Sequence, residues 1–182
     1  MQIGFGILLE HEPHNFIREY QLKFHHELSI LPGRQNPHIT FKSPFKVHDI
    51  EAYVDYFDQL ARETQPFEVK INGVGDFDQK ILFLDVEENQ ATNSLHVNVL
   101  KQMKDQFNID PDPLEGENMH FHASIAELPT KDAFIEAKEM LENEAPKFRF
   151  WVKEFGIFYH LGGDHSWIIF RRMPIGGERM KK

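Results

Sequence analysis

Along the 182 residues the spacing of apolar side chains switches between a period near two and a period near 3.6, and it runs through the same order twice. Gln2 to Leu9 reads as a strand. Pro13 to about Leu28 reads as a helix with Ile17, Tyr20, Phe24 and Leu28 on one face, and Gly33 and Pro37 then mark a loop. A strand from about His38 to Ser43, a helix from Asp49 to about Thr64, and a strand carrying Phe67, Val69 and Ile71 complete the first half. The second half repeats the order: strand Ile81 to Val86, helix Thr92 to Phe107, strand near Phe121 to Ala126, helix Lys131 to Asn143, then strands around Phe148 to Tyr159 and Ser166 to Arg171. The expectation is one α+β domain over 1–175, made of repeat units of about 1–78 and 79–175, with a flexible tail at 176–182.

With 17 Phe and no cysteine, such a core is assembled by apolar packing, without disulfides or thiolate-bound metal. That composition fits the cytoplasm. The apolar start Met1 to Leu9 is too short to span a bilayer, lacks a basic lead and runs into Glu10-His11-Glu12, so it is expected to be a strand rather than a signal. A formal charge of -9 is the wrong sign for a protein that holds long nucleic acid by broad phosphate neutralisation. No extended nucleic-acid surface and no membrane partner are expected, and the oligomeric state is left open.

The two halves share one element. His38-Ile39-Thr40-Phe41 and His122-Ala123-Ser124-Ile125 both read His-x-hydroxyl-apolar, each in the middle strand of its unit. Strand alternation puts His38 and Thr40 on one face and Ile39 and Phe41 on the other, and sorts the second copy likewise. In-line displacement at phosphorus calls for such pairs. One imidazole removes a proton from the attacking oxygen, a second, protonated one supplies a proton to the leaving oxygen, and each hydroxyl can donate to a non-bridging oxygen as charge builds there. No metal or other cofactor is required.

At this point the chain resembles the two-histidine phosphoesterases, which include cyclic nucleotide phosphodiesterases and 2'-5' RNA ligase-like proteins. Pro37 to Phe45 is similar to the first motif of that family with its flank, and Phe121 to Ala126 to the second. The resemblance implies two pseudo-symmetric lobes, each an antiparallel sheet with outer helices, enclosing a central cleft lined by both motifs. It also implies a cyclic phosphodiesterase or RNA ligase-like hydrolase acting on 2',3'-cyclic phosphate or 2'-5' linked RNA-derived substrates, with a small nucleotide or RNA-terminal phosphate ester as partner. His38, His122, Thr40 and Ser124 are the candidate catalytic residues. Ser124 stands where threonine is more usual, and the loop before the second motif is acidic rather than basic.

Around this constellation Arg34, Lys42, His120 and Tyr159 are candidate substrate contacts, the first two for phosphate and Tyr159 for stacking on a base. The loop Asn108 to Glu117, rich in Asp, Pro and Gly, reads as a mobile, solvated connector. Two other readings remain. One is a phosphate- or nucleotide-binding module that turns nothing over. The other is a metal-dependent enzyme, because His120 and His122 would put their Cα atoms about 6.6 Å apart on one strand face, with His96, His160, His165 or Asp164 as a further ligand.

Overall fold

The computed structural model describes residues 1–33, 35–163 and 166–176, and the expectations for Arg34, Asp164, His165 and the tail at 177–182 lie outside the described residues. Over them the two periodicities resolve into β1 (Gln2–Leu8), α1 (His11–Leu28), β2 (His38–Lys46), α2 (Glu51–Glu63), β3 (Glu68–Phe77), β4 (Ile81–Val86), α3 (Gln90–Phe107), β5 (His122–Glu127), α4 (Lys131–Glu142), β6 (Lys147–Trp151), β7 (Glu154–His160) and β8 (Ile168–Pro174). The starts of α3 and α4 are fixed by short polar side chains: Asn89 accepts from the Ala91 N–H at 2.7 Å, and Thr130 from that of Ala133 at 3.2 Å. Among the described residues no helix is long and apolar enough to cross a membrane.

The strands form two antiparallel sheets, in the orders β2-β1-β7-β8 and β5-β4-β3-β6, and the fold is α+β with two lobes. Each sheet draws strands from both halves of the chain. The stretch expected as strand around Phe148 to Tyr159 breaks at Val152 and Lys153, so that β6 joins the second sheet and β7 the first. Helices cross over as well: α1 packs on β5 and α4, whereas α3 packs on β2. One continuous apolar core runs through both lobes, from Ile3, Phe5 and Phe57 to Ile71, Leu84 and Val99.

Middle strands in sequence, β2 and β5 are edge strands in space, and they lie side by side where the lobes meet. They belong to separate sheets, so other contacts must hold the seam. One tie comes from α1. Gln21 Nε2 donates to the Ile125 carbonyl of β5 at 3.0 Å, and Arg18 donates to Gln21 Oε1 and the Gly33 carbonyl, both at 2.8 Å, and to Asn36 Oδ1 at 3.3 Å.

The second tie corrects the picture of a free acidic loop. Glu115 is buried, and its carboxylate accepts from Lys42 Nζ at 2.8 and 3.1 Å, from the Ser43 N–H, and from the Asp112 N–H at 2.8 Å. The loop ahead of β5 is thereby latched onto β2. Beside it the buried His96 donates from Nδ1 to the Phe41 carbonyl at 2.8 Å and accepts on Nε2 from the Gly116 N–H at 2.9 Å. Both ring nitrogens are thus committed to backbone.

Removing one member of a buried ion pair strands the other charge, at a cost of about 3–5 kcal/mol. Glu115→Ala and Lys42→Met should each lower the urea midpoint accordingly, and the Lys42→Met, Glu115→Leu double variant should recover much of the loss. Single variants as stable as the parent would show that the pair does not hold the seam.

Candidate active site

The motif strands alternate as their sequences require: Ile39, Phe41, Ala123 and Ile125 are buried at 0–1% exposure, while His38, Thr40, His122 and Ser124 turn away from the core. The two imidazoles are mounted in the same way. His38 Nδ1 lies 2.7 Å from the Asn36 carbonyl, and His122 Nδ1 lies 2.8 Å from the His120 carbonyl. A carbonyl can only accept, so each Nδ1 carries the proton, and in the neutral ring each Nε2 keeps its lone pair.

Close packing sets the orientation of both rings. His38 rests 4.2 Å from the Phe158 ring, centroid to centroid. Beneath them Gly6 on β1 lets the rings lie close, since a Cβ there would crowd His38 Cδ2 at 3.0 Å and Phe158 Cε2 at 3.2 Å. In the other lobe His122 sits against Phe77 at 4.8 Å and Phe83 at 5.0 Å. Phe83 in turn lies over Gly75, where a Cβ would overlap its ring. A glycine under an aromatic ring thus supports each imidazole, one per lobe.

His38 and Thr40 line a cavity of about 110 Å³ together with Gln35, Phe158 and Trp167. The lining of that cavity does not include His122 or Ser124, which occupy the neighbouring edge strand, with Ser124 exposed. The imidazoles are nonetheless near enough to sense each other. Burial pushes His38 down to about 4, opposed by its hydrogen bond to Asn36 and assisted by the charge of His122. Burial lowers His122 too; its bond to the His120 carbonyl and the charge of Asp85 raise it, and the charge of His120 lowers it.

Of the candidate substrate contacts, His120 stays beside the motif, with Nε2 at 3.0 Å from Asp85 Oδ1 and its ring 6.4 Å from that of His122. Lys42 lines the His38 cavity, but its ammonium is committed to Glu115. Tyr159 packs against the core beneath Phe170, and the large ring that the cavity holds is Trp167. Trp167 and Phe158 were not singled out in the sequence; an aromatic residue just beyond the Gly162-Gly163 turn is a faint signal for the first. Among the described residues no group of three or more His, Asp or Glu side chains is arranged to hold a metal ion.

The chain is similar in sequence and in fold to known proteins. The family model described as the 2'-5' RNA ligase superfamily matches residues 9–164. A protein of Oceanobacillus iheyensis, provisionally named a phosphoesterase, is 26% identical over 152 residues, which cover 81% of this chain and 82% of the relative. In fold, the chain is similar to the crystal structure of TT0787 of Thermus thermophilus, with a TM-score of 0.65 at 15% identity over 98% of this chain and 100% of that one. It is also similar to E. coli LigT complexed with NADP+, with a TM-score of 0.59 at 15% identity over 96% and 98% of the two chains.

An NMR titration of the imidazole resonances should place His38 near pH 4 and His122 below the ordinary 6.5. Both groups bind a proton less readily folded than unfolded. Their contribution to stability is therefore fully present above about pH 6.5 and is lost as the pH falls from there toward 4. A His38 midpoint at or above 6.5 would contradict the burial argument.

Proposed function

The chain belongs to the 2'-5' RNA ligase superfamily, and we propose that within it the protein is a metal-independent phosphoesterase that opens 2',3'-cyclic phosphates on short RNA-derived substrates. With a 5'-hydroxyl in place of water as the attacking group and the ribose 3'-oxygen leaving, the same groups would join ends through a 2'-5' linkage. The observation that carries the reading is the matched mounting of His38 and His122, each held at Nδ1 by the carbonyl two residues earlier and each left with Nε2 for proton transfer. The family match and the relative named as a phosphoesterase support the reaction class. E. coli LigT, whose crystal structures include complexes with 3'-AMP and with phosphate, supports a ribose phosphate as the kind of ligand.

In this reading His38, the more strongly depressed of the two, is the general base. Its neutral Nε2 takes the proton of the attacking water, whose oxygen bonds to phosphorus. His122 is the general acid, since Asp85 favours its charged form, and it gives its proton to the ribose oxygen as the P–O bond breaks. Thr40 and Ser124 donate to the non-bridging oxygens as negative charge gathers on them. Two imidazoles and two hydroxyls complete the proton and charge balance of the step.

His38→Ala and His122→Ala should each lower turnover of a 2',3'-cyclic nucleotide by about 10² to 10⁴ with the fold intact, and the double variant should be little worse than the worse single one. Thr40→Ala and Ser124→Ala should cost less. Because both free-enzyme values lie below 6.5, with His38 at about 4, kcat/KM should peak between those limits and fall on either side. Activity should persist in EDTA. A fully active His38→Ala protein, or a rate abolished by chelation and restored by metal, would sink the assignment.

A further inference from the structure

Beyond the His38 cavity, the same face of the first sheet continues into a second and larger one. Along β1, the residues Gln2, Gly4 and Gly6 point to a single face. Gly6 stands opposite Thr40, Gly4 opposite Phe158, and Gln2 opposite both Lys46 and His160. Lys46 and His160 therefore share the face of Thr40. They lie four β1 positions from its row, about 13 Å along the strand. Around them opens a cavity of about 380 Å³ lined by Gln2, Lys46, His48, His160, Leu161 and Gly162.

Three observations fix the chemistry of this cavity. The side chains of its described lining include two imidazoles and one ammonium but no carboxylate, on a protein whose formal charge is -9. His160 accepts on Nδ1 from the Gly162 N–H at 3.0 Å, so its Nε2 carries the proton and can donate outward. The His160 ring also packs at a tilt against Trp167, with centroids 5.3 Å apart and planes 34° apart, and Trp167 is a wall of the His38 and Thr40 cavity. Each cavity thus takes one ring of this pair into its lining.

We propose that the Lys46, His48 and His160 cavity is a subsite for a second phosphate of the substrate, with Trp167 as the face on which an intervening base stacks. The separation of about 13 Å from the Thr40 row suits a stretched single strand that crosses it in about two phosphodiester links. The ligand class is a short oligonucleotide that ends in the reacting phosphate. The inference rests on the reading of His38 and His122 as the reacting centre. It deepens that reading by setting substrate length: a mononucleotide fills only the first cavity, and a trinucleotide reaches the second.

Two measurements test it. Turnover of a trinucleotide ending in a 2',3'-cyclic phosphate should exceed that of the cyclic mononucleotide by about tenfold in kcat/KM, and raised salt should erode the gain. In a Lys46→Glu, His48→Glu variant the ratio should fall toward one. Binding is read separately in a Trp151→Phe protein, which leaves Trp167 as the only tryptophan of the two. There a 3'-phosphorylated trinucleotide should quench fluorescence at lower concentration than a 3'-phosphorylated nucleoside, and the two charge reversals should close that gap. Equal quenching by the two ligands, or a gap that survives the charge reversals, overturns the subsite. If neither ester is turned over while length-dependent quenching persists, the subsite stands and the catalytic reading falls.

Discussion

Two edge strands from different sheets must lie side by side for this site to exist, and the buried contact between Lys42 of β2 and Glu115 in the loop ahead of β5 is one interaction that holds them there. A shared hydrogen-bond ladder would fix the spacing of β2 and β5 but would merge the lobes into one sheet and close the space between them. An ammonium locked against a carboxylate fixes the same spacing at one point and leaves the motif ends open. The pair is costly to bury, and it is tolerated because the carboxylate also receives the Ser43 and Asp112 backbone donors. Gln21 and Arg18 add a second point from α1, tying β5 to the loop that ends at His38. The seam is therefore held by polar contacts on two sides rather than by apolar packing alone.

Within that frame the two imidazoles are fixed locally, each by its own lobe. A carbonyl two residues upstream sets the tautomer, and an aromatic ring over a glycine sets the tilt. Because neither lobe borrows its histidine's orientation from the other, the lobes need only be brought together at the right distance. Burial then holds both imidazoles below their ordinary range, His38 furthest; the charge of His122 adds to the depression of His38, while Asp85 beside His120 partly offsets that of His122.

Much of this was legible in the sequence, and the limits are instructive. Strands and helices followed from period alone because their apolar faces are buried on one side, as at Ile39 and Phe41 or Ala123 and Ile125. The motif pair was legible because it recurs at matching points of a repeat. Sheet membership was not: nothing in the Phe148 to Tyr159 stretch states that its two ends pair with different sheets. Glu115 was hidden for a similar reason. Its neighbours Asp110, Pro111, Asp112 and Pro113 have the composition of a solvated loop, and only the three-dimensional approach of Lys42 turns one carboxylate inward. Likewise Tyr159, flagged as a stacking residue, faces the core, while Trp167, eight positions further on, lies at the cavity.

If, as proposed, this acidic protein acts on an anionic ester, the groups along the substrate's path decide how it approaches. The formal charge of -9 offers a long polyanion no general attraction and repels it only within about a screening length of the surface. A short ligand experiences mostly what lines its path. On the His38 face of the first sheet those groups are imidazoles, Lys46 and aromatic rings. The carboxylates Asp85, Glu87, Glu88 and Glu117 instead surround a separate depression on the far side of His120. Charge is thus partitioned between the two flanks of the histidine pair, and a phosphate-bearing chain that reaches the site is steered to one of them. On the proposed subsite, selection by length would follow from that partition: a second phosphate on the favoured side would meet Lys46, while the acidic remainder of the surface would discourage any longer track.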